Sequence, residues 1–475
     1  MGIARQITRN FFWLFFSELA SGVLSLIIVI YLARVLGVKA FGLLNFVQAI
    51  FIYLLLIVDA GFSTYGTRET AKDKIKIEHL SINIALLRIT WGIVVYLLSI
   101  IIVLLLPMPF ELKVLFVVTF LLIISKNISP EWIFQGIEKF ECVGLEKIIN
   151  RLLLMLFIVL FVKSANDLIK VPFLEFVISI TVALILILAL FLRFIPFKVN
   201  EINVHKWKQY FIEAAPLGIS YILLQVYFTI DTVMLGIMRN VESVGLYNAA
   251  YKIIFALLLF STVLGKSIFP VLSRLYNNNM EKMKRLVSAI YNFNLFLGIP
   301  IAIGGMILSE SIVLLVFGHK YYSAAWVFRI LIWTILTVYT SVPFTFSLLA
   351  AGRQKEYLHS MAAGAFINIL LNLYLIPNYG FIGAAVSTIF TEIIVWGIIF
   401  YYFSKNLFFI PLHQNILKYL FSAIIMALFL YFVEINLFIS LISGIFIYLS
   451  LNMLLKSISI NGILELFKLT VSELK

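Results

Sequence analysis

The chain has 475 residues, of which 63% are hydrophobic and only 12% charged, against roughly 25% charged in a soluble domain. That composition excludes a water-soluble globular protein and points to an all-α polytopic membrane protein. The net charge of +13 suits anionic lipid headgroups rather than nucleic acid, because the basic residues gather in loops.

A spanning helix needs about 20 mostly apolar residues. The basic start MGIARQITRN runs into an apolar stretch that reaches Leu36, too long for a cleaved signal peptide, so it reads as the first span. About 14 transmembrane helices are predicted, at 11–36, 40–66, 81–106, 112–135, 144–165, 171–194, 211–238, 245–272, 286–317, 323–350, 357–377, 381–404, 413–434 and 437–456. PMPF (107–110) and PNYG (377–380) mark tight turns. Arg88, Arg151, Lys252, Lys266 and Arg329 fall inside predicted spans. Most other Lys and Arg lie at the termini and in alternate loops, including KDKIK (72–76), HKWK (205–208) and KMKR (282–285). This bias predicts that both termini are cytoplasmic. The single cysteine, Cys142, excludes an internal disulfide, and the five histidines show no metal-ligand spacing.

Shifting the sequence on itself by 203 residues aligns 32–56 with 235–259, with Gly42/Gly245, Leu43/Leu246 and Asn45/Asn248 identical. An offset of six predicted helices keeps the orientation, as in parallel repeats. The expected organisation is two six-helix lobes around a central cavity plus two C-terminal helices. Residues 1–200 would form the N-terminal lobe, 201–405 the C-terminal lobe, and 406–475 two additional helices with a cytoplasmic tail. Duplicated lobes favour a transporter working by alternating access.

Several segments, taken in order, are similar to those of polysaccharide flippases. They are LARVLGVKAFGLLNFVQAI (32–50), GTRETAK (66–72), PEWIFQGIEKF (130–140), DTVMLGIMRNVESVGLYNAAYKI (231–253), FPVLSRLY (269–276), FGHKYYSAAWVFRIL (317–331) and the run 348–385. The chain resembles the Wzx-type members of the multidrug/oligosaccharidyl-lipid/polysaccharide exporter superfamily. The resemblance implies a multi-pass protein of the bacterial inner membrane that moves an undecaprenyl-diphosphate-linked oligosaccharide from the cytoplasmic to the periplasmic leaflet. Its product would feed O-antigen, capsule or exopolysaccharide assembly, with polymerase machinery as a further partner. A multidrug exporter or a lipid II flippase of the same superfamily is the alternative. An enzyme is disfavoured: the four aspartates form no Asp-x-Asp pair, and no nucleotide-binding glycine loop is present.

Such a cargo needs cations for its diphosphate. Arg88, Arg151, Lys252, Lys266 and Arg329 are the candidates for diphosphate binding and cavity lining; snorkelling or pairing with acids suits the three arginines equally. Asp231 and Lys252 would lie at similar depth on consecutive helices, either as a structural pair or as one that opens when phosphate or a cation arrives. A polar stripe at Tyr221, Gln225, Thr229 and Thr232 has helical spacing beside Asp231. Glu392 is the acid nearest mid-membrane, a candidate for H+ or Na+ coupling or a protonated core residue, with Glu18 and Asp59 behind it. No cofactor is expected. Pro216, Pro300 and Pro343 are positions where helices can bend.

Overall fold

The computed structural model describes residues 3–72, 77–194, 202–411, 415–433 and 436–457. Residues 73–76 of the KDKIK loop and the tail beyond 457 lie outside the described residues. The chain divides into two compact units, Met1–Val233 and Met234–Lys475.

The first unit contains α1 (Ile3–Asp59), α2 (Phe62–Lys72), α3 (Ile77–Leu105), α4 (Phe110–Ile128), α5 (Glu131–Gly136), α6 (Phe140–Phe161), α7 (Lys170–Arg193) and most of α8 (Trp207–Met238). Helix α1 is two helices in one run, broken at Gly37. Gly37 has φ +72°, a left-handed conformation in which a side chain is strained; the turn expected between residues 36 and 40 falls there. Helix α1 packs on α6 and α4, α3 on α4, and α7 on both α4 and α6.

The second unit contains α9 (Val241–Asn278), α10 (Met280–Ile307), α11 (Ser309–Phe317), α12 (Ala324–Leu331), α13 (Thr334–Ala350), α14 (Gln354–Asn406), α15 (Ile416–Phe432) and α16 (Leu437–Leu454). Helix α13 packs against α9, α10 and α14. Helix α14 is again double, broken at Gly380 (φ +58°) just after Pro377. Arg239 braces that break: its Nε donates to the carbonyl of Ile376 at 2.9 Å and its Nη2 to the carbonyl of Pro377. Arg239→Ala is expected to lower stability by about 1 kcal/mol, because the exposed Pro377 carbonyl regains water while that of buried Ile376 loses a donor. A thermal melt in detergent checks this, and an unchanged midpoint would show that the brace is dispensable.

Ten helices among the described residues are long and apolar enough to cross a membrane, fewer than the fourteen spans expected. The runs Phe12–Lys72 and Gln354–Asn406 each hold two expected spans. Ile416–Phe432 is shorter, and Phe140–Phe161 carries too many charges in its first half. Three expected single helices are broken. The span 112–135 stops at Ile128, because Pro130 pushes Ser129 into an extended conformation (φ −53°, ψ 128°). The span 323–350 tightens between α12 and α13 through i→i+3 bonds, Trp333 to Ile330 and Ile335 to Ile332. The span 286–317 ends its first part at Leu308, where no breaker residue stands. Helix α6 also closes four residues before the expected 165. Asp167 accepts from the amides of Lys163 and Ser164 and draws that segment into a capping box. Lys170 beside it and those amides hold the Asp167 carboxyl well below the usual carboxylate range.

Large apolar residues such as Leu97, Ile101 and Leu105 on α3 and Phe421, Ile424 and Leu428 on α15 are exposed. In a bilayer they face lipid, so packing and buried polar contacts hold helices together. The repeat recurs in a polar contact within single helices. Asn45 donates to the carbonyl of Phe41 at 2.8 Å and Asn248 to that of Val244 at 3.0 Å, both pairs 203 residues apart. Helices α15 and α16 pack together, with α15 also on α10. Tyr419 Oη donates to Asn292 Oδ1 and Tyr448 Oη to the carbonyl of Phe296, both at 2.9 Å.

Candidate functional site

Two helix breaks build the site inside the first unit. Ala60 (φ +44°) and Gly61 (φ +85°) end α1, so Asp59 turns back to accept from the amide and hydroxyl of Ser63, near the start of α2. Gly61 and Gly218 make this elbow possible: a Cβ on Gly61 would meet the Ala214 carbonyl oxygen at 2.3 Å, and one on Gly218 the Ala60 carbonyl carbon at 2.5 Å. The second break, at Pro130, leaves Lys126, Asn127, Ser129 and Glu131 around one corner.

Arg88 of α3 reaches into this region and is only 5% exposed. Its Nη2 lies 3.6 Å from Asp59 Oδ1, and its Nε donates to Asn127 Oδ1 at 3.1 Å. The Asn127 amide in turn donates to the Arg88 carbonyl. Gly92 makes room for that amide, since a Cβ there would lie 2.3 Å from Asn127 Nδ2. The remaining terminal nitrogen, Arg88 Nη1, is buried with no hydrogen-bond acceptor among the described residues. These groups line a cavity of about 370 Å³ that also presents Ser63, Thr64, Gln135, Lys126, Glu131 and Tyr221.

A second cavity of about 370 Å³ shares Lys126, Ser129 and Glu131 with the first. Lys147 bridges Glu18 and Glu131 at 3.6 Å each, and Arg151 Nη1 lies 3.8 Å from Glu175 Oε1. Glu146 accepts from the Ser129 hydroxyl at 2.9 Å. Two segments singled out in the sequence interlock beside these cavities: Thr67 donates to the Trp132 carbonyl at 3.0 Å, and the missing Cβ of Gly66 admits the Trp132 ring.

The other candidate residues are placed as follows. Asp231 is 4% exposed, near the end of α8, and lies within electrostatic reach of the Tyr53 hydroxyl. The stripe beside it is polar in fact: Gln225 donates to Thr229 at 3.4 Å, Thr229 to Tyr53 at 2.9 Å, and Thr64 to Tyr221 at 3.3 Å. In the second unit Lys252 is half-buried and Lys266 exposed, both on α9. Arg329 Nε donates to Ser309 Oγ at 3.0 Å, and its guanidinium lies 4.6 Å from the centroid of the Trp326 ring. Glu392 is half-buried, within electrostatic reach of the Tyr357 hydroxyl. The structure thus brings Arg88, Arg151, Asp59 and Glu18 into one neighbourhood.

Sequence reasoning missed Lys126, Glu131, Glu146, Lys147 and Glu175. The signal was there on α6, where Glu146, Lys147, Asn150 and Arg151 form two i, i+4 pairs on an otherwise apolar helix.

Together the apolar spans define a polytopic membrane protein, and its first unit contains two charged cavities. Residues 7–276 match the family model described as polysaccharide biosynthesis protein, and the chain belongs to that family. Residues 216–374 also match the MatE model. A putative O-antigen transporter of Escherichia coli (strain K12) is 24% identical over 414 residues, covering 84% of this chain and 97% of that protein. The capsular polysaccharide biosynthesis protein CapF of Staphylococcus aureus is 24% identical over 283 residues, 59% of this chain and 71% of that one. Among solved structures, the lipid II flippase MurJ in an inward closed conformation superposes with a TM-score of 0.73 at 18% identity, covering 93% of this chain and 98% of that one.

Proposed function

We propose that this protein is a lipid-linked oligosaccharide flippase of the bacterial inner membrane, with both termini cytoplasmic. It moves undecaprenyl-diphosphate-linked polysaccharide repeat units from the cytoplasmic to the periplasmic leaflet by alternating access. The observation that carries this reading is the Arg88 cavity: a buried guanidinium with one unsatisfied nitrogen, ringed by hydroxyls and amides. A phosphate oxygen is the acceptor such a group lacks, and hydroxyls and amides suit sugars. Membership of the polysaccharide biosynthesis family and the names of the relatives support it. Arg151, Lys252, Lys266 and Arg329 are further cationic positions for the diphosphate. Asp231 and Glu392 are the gating or ion-coupling positions, with H+ or Na+ as the coupling ion and a polymerase as the consumer of the product.

The test is leaflet accessibility of a labelled undecaprenyl-diphosphate oligosaccharide in proteoliposomes, with wild type, Asp231→Asn and Lys252→Ala side by side. Wild type is expected to translocate, and Lys252→Ala to be slower by about tenfold, the loss of roughly 1.4 kcal/mol at the barrier. Equal rates for all three would remove Asp231 and Lys252 from the mechanism. Export of organic cations without movement of any glycan lipid would overturn the function itself.

A further inference from the structure

The two cavities of the first unit share one lysine, and their charges do not balance alike. Glu146 is faced by Glu18 from α1, Lys126 from α4, Glu131 from α5 and Glu175 from α7, with Lys147 and Arg151 on its own helix. Among the described residues four carboxylates therefore meet three cations. Lys147 holds Glu18 and Glu131, and Arg151 holds Glu175. Among the described residues Glu146, 9% exposed, has only the Ser129 hydroxyl as a hydrogen-bond partner, and its Oε2 is buried with none. An ionised carboxylate in that position is unfavourable without a cation beside it, and one proton lets Lys126 leave with no change in the net charge of the cavity. Across the shared wall, Arg88 Nη1 is a buried donor with no acceptor among the described residues. Lys126, which lines both cavities, has no carboxylate within ion-pairing distance among the described residues.

We propose that Glu146 is a proton-binding site that decides which cavity Lys126 serves. When Glu146 is ionised, its carboxylate draws the Lys126 ammonium into the second cavity. When Glu146 is protonated, Lys126 joins Arg88 as the second cation for a phosphate group. Proton and phosphate then bind with positive coupling, each raising the affinity of the other by the same factor. This inference rests on the proposed function in one respect, that the cargo carries a diphosphate.

The probe is a water-soluble, short-chain prenyl diphosphoryl sugar, whose diphosphate diester does not titrate between pH 6 and 8. Calorimetric binding to the full-length protein in nanodiscs is measured at both pH values. Wild type is expected to bind about tenfold more tightly at pH 6, equivalent to roughly 1.4 kcal/mol. Glu146→Gln should bind as wild type does at pH 6, but at both pH values. Lys126→Gln should bind weakly at both. Wild-type binding that is the same at pH 6 and 8, or a pH dependence that survives in either variant, overturns this inference and leaves the flippase reading standing. Absence of wild-type binding at either pH overturns the diphosphate reading along with it.

Discussion

Arg88→Ala is expected to destabilise the protein by about 3 kcal/mol and to abolish translocation. Removing one partner of a buried ion pair leaves the other charge uncompensated, at roughly 3–5 kcal/mol. The low end applies because the Asp59 side chain keeps 24% of its exposure. The substitution also strips Asn127 of its donor, so the corner joining α3 to α4 loosens. The double variant Arg88→Met, Asp59→Asn separates the two effects, because the Asn side-chain oxygen still accepts from Ser63. Removing both charges leaves neither one uncompensated, so its melting temperature should return towards wild type. Translocation should stay absent, because Lys126 is then the one cation that lines that cavity among the described residues, one charge short of what the diphosphate requires. A double variant that both melts and flips like wild type would reduce Arg88 to a packing element.

Gly61→Ala should be the most damaging of the small substitutions. The left-handed backbone at Gly61 adds about 1–2 kcal/mol for any side chain. The new methyl would also press on backbone atoms of Ala214 and Gly218, at 2.3 and 2.6 Å, and overpacking adds about 1–3 kcal/mol. The expected total is about 2–5 kcal/mol, read as a lowered melting temperature and reduced yield of folded protein. Gly218→Ala approaches the same elbow from α8 with ordinary backbone angles, so it should show the overpacking part alone. Equal losses for the two variants would mean that the Gly61 conformation contributes nothing. Gly37→Ala serves as the reference, since a Cβ there meets nothing within 4 Å and only the backbone strain applies.

What the sequence made legible was whatever one helix can announce by itself. Gly37 after a long apolar run and Gly380 after PNY each mark a turn without help from neighbours. The 203-residue shift matched Asn45 to Asn248, and each holds the carbonyl four residues back in its own unit. Depth was legible too, which is why Arg88 and Arg151 stood out. Depth is one coordinate of three. Whether Arg88 faces lipid or Asp59 depends on rotation about α3 and on which helix lies opposite, and both are set by tertiary packing. Lys126 and Glu146 were missed for the same reason. Each is a charged residue near a helix end, and its surroundings form only once the chain turns at Pro130 after α4 and sets Ser129 against Glu146. The elbow at Gly61 was hidden because its partner, Gly218, lies more than 150 residues later in the chain.

The attachment of the last two helices bears on how the chain is made. Tyr448 reaches the Phe296 carbonyl across 152 residues of sequence, and Tyr419 reaches Asn292 across 127. At a synthesis rate of roughly 5–20 residues per second, α10 waits about 8–30 s after insertion before its final neighbours emerge. During that interval its Asn292 side chain and the face around Phe296 sit in lipid or against a holding partner. Truncation after residue 410 should therefore yield a ribosome-released chain that membrane quality-control proteases degrade faster than the complete protein, even though every cavity residue named above has already been synthesised.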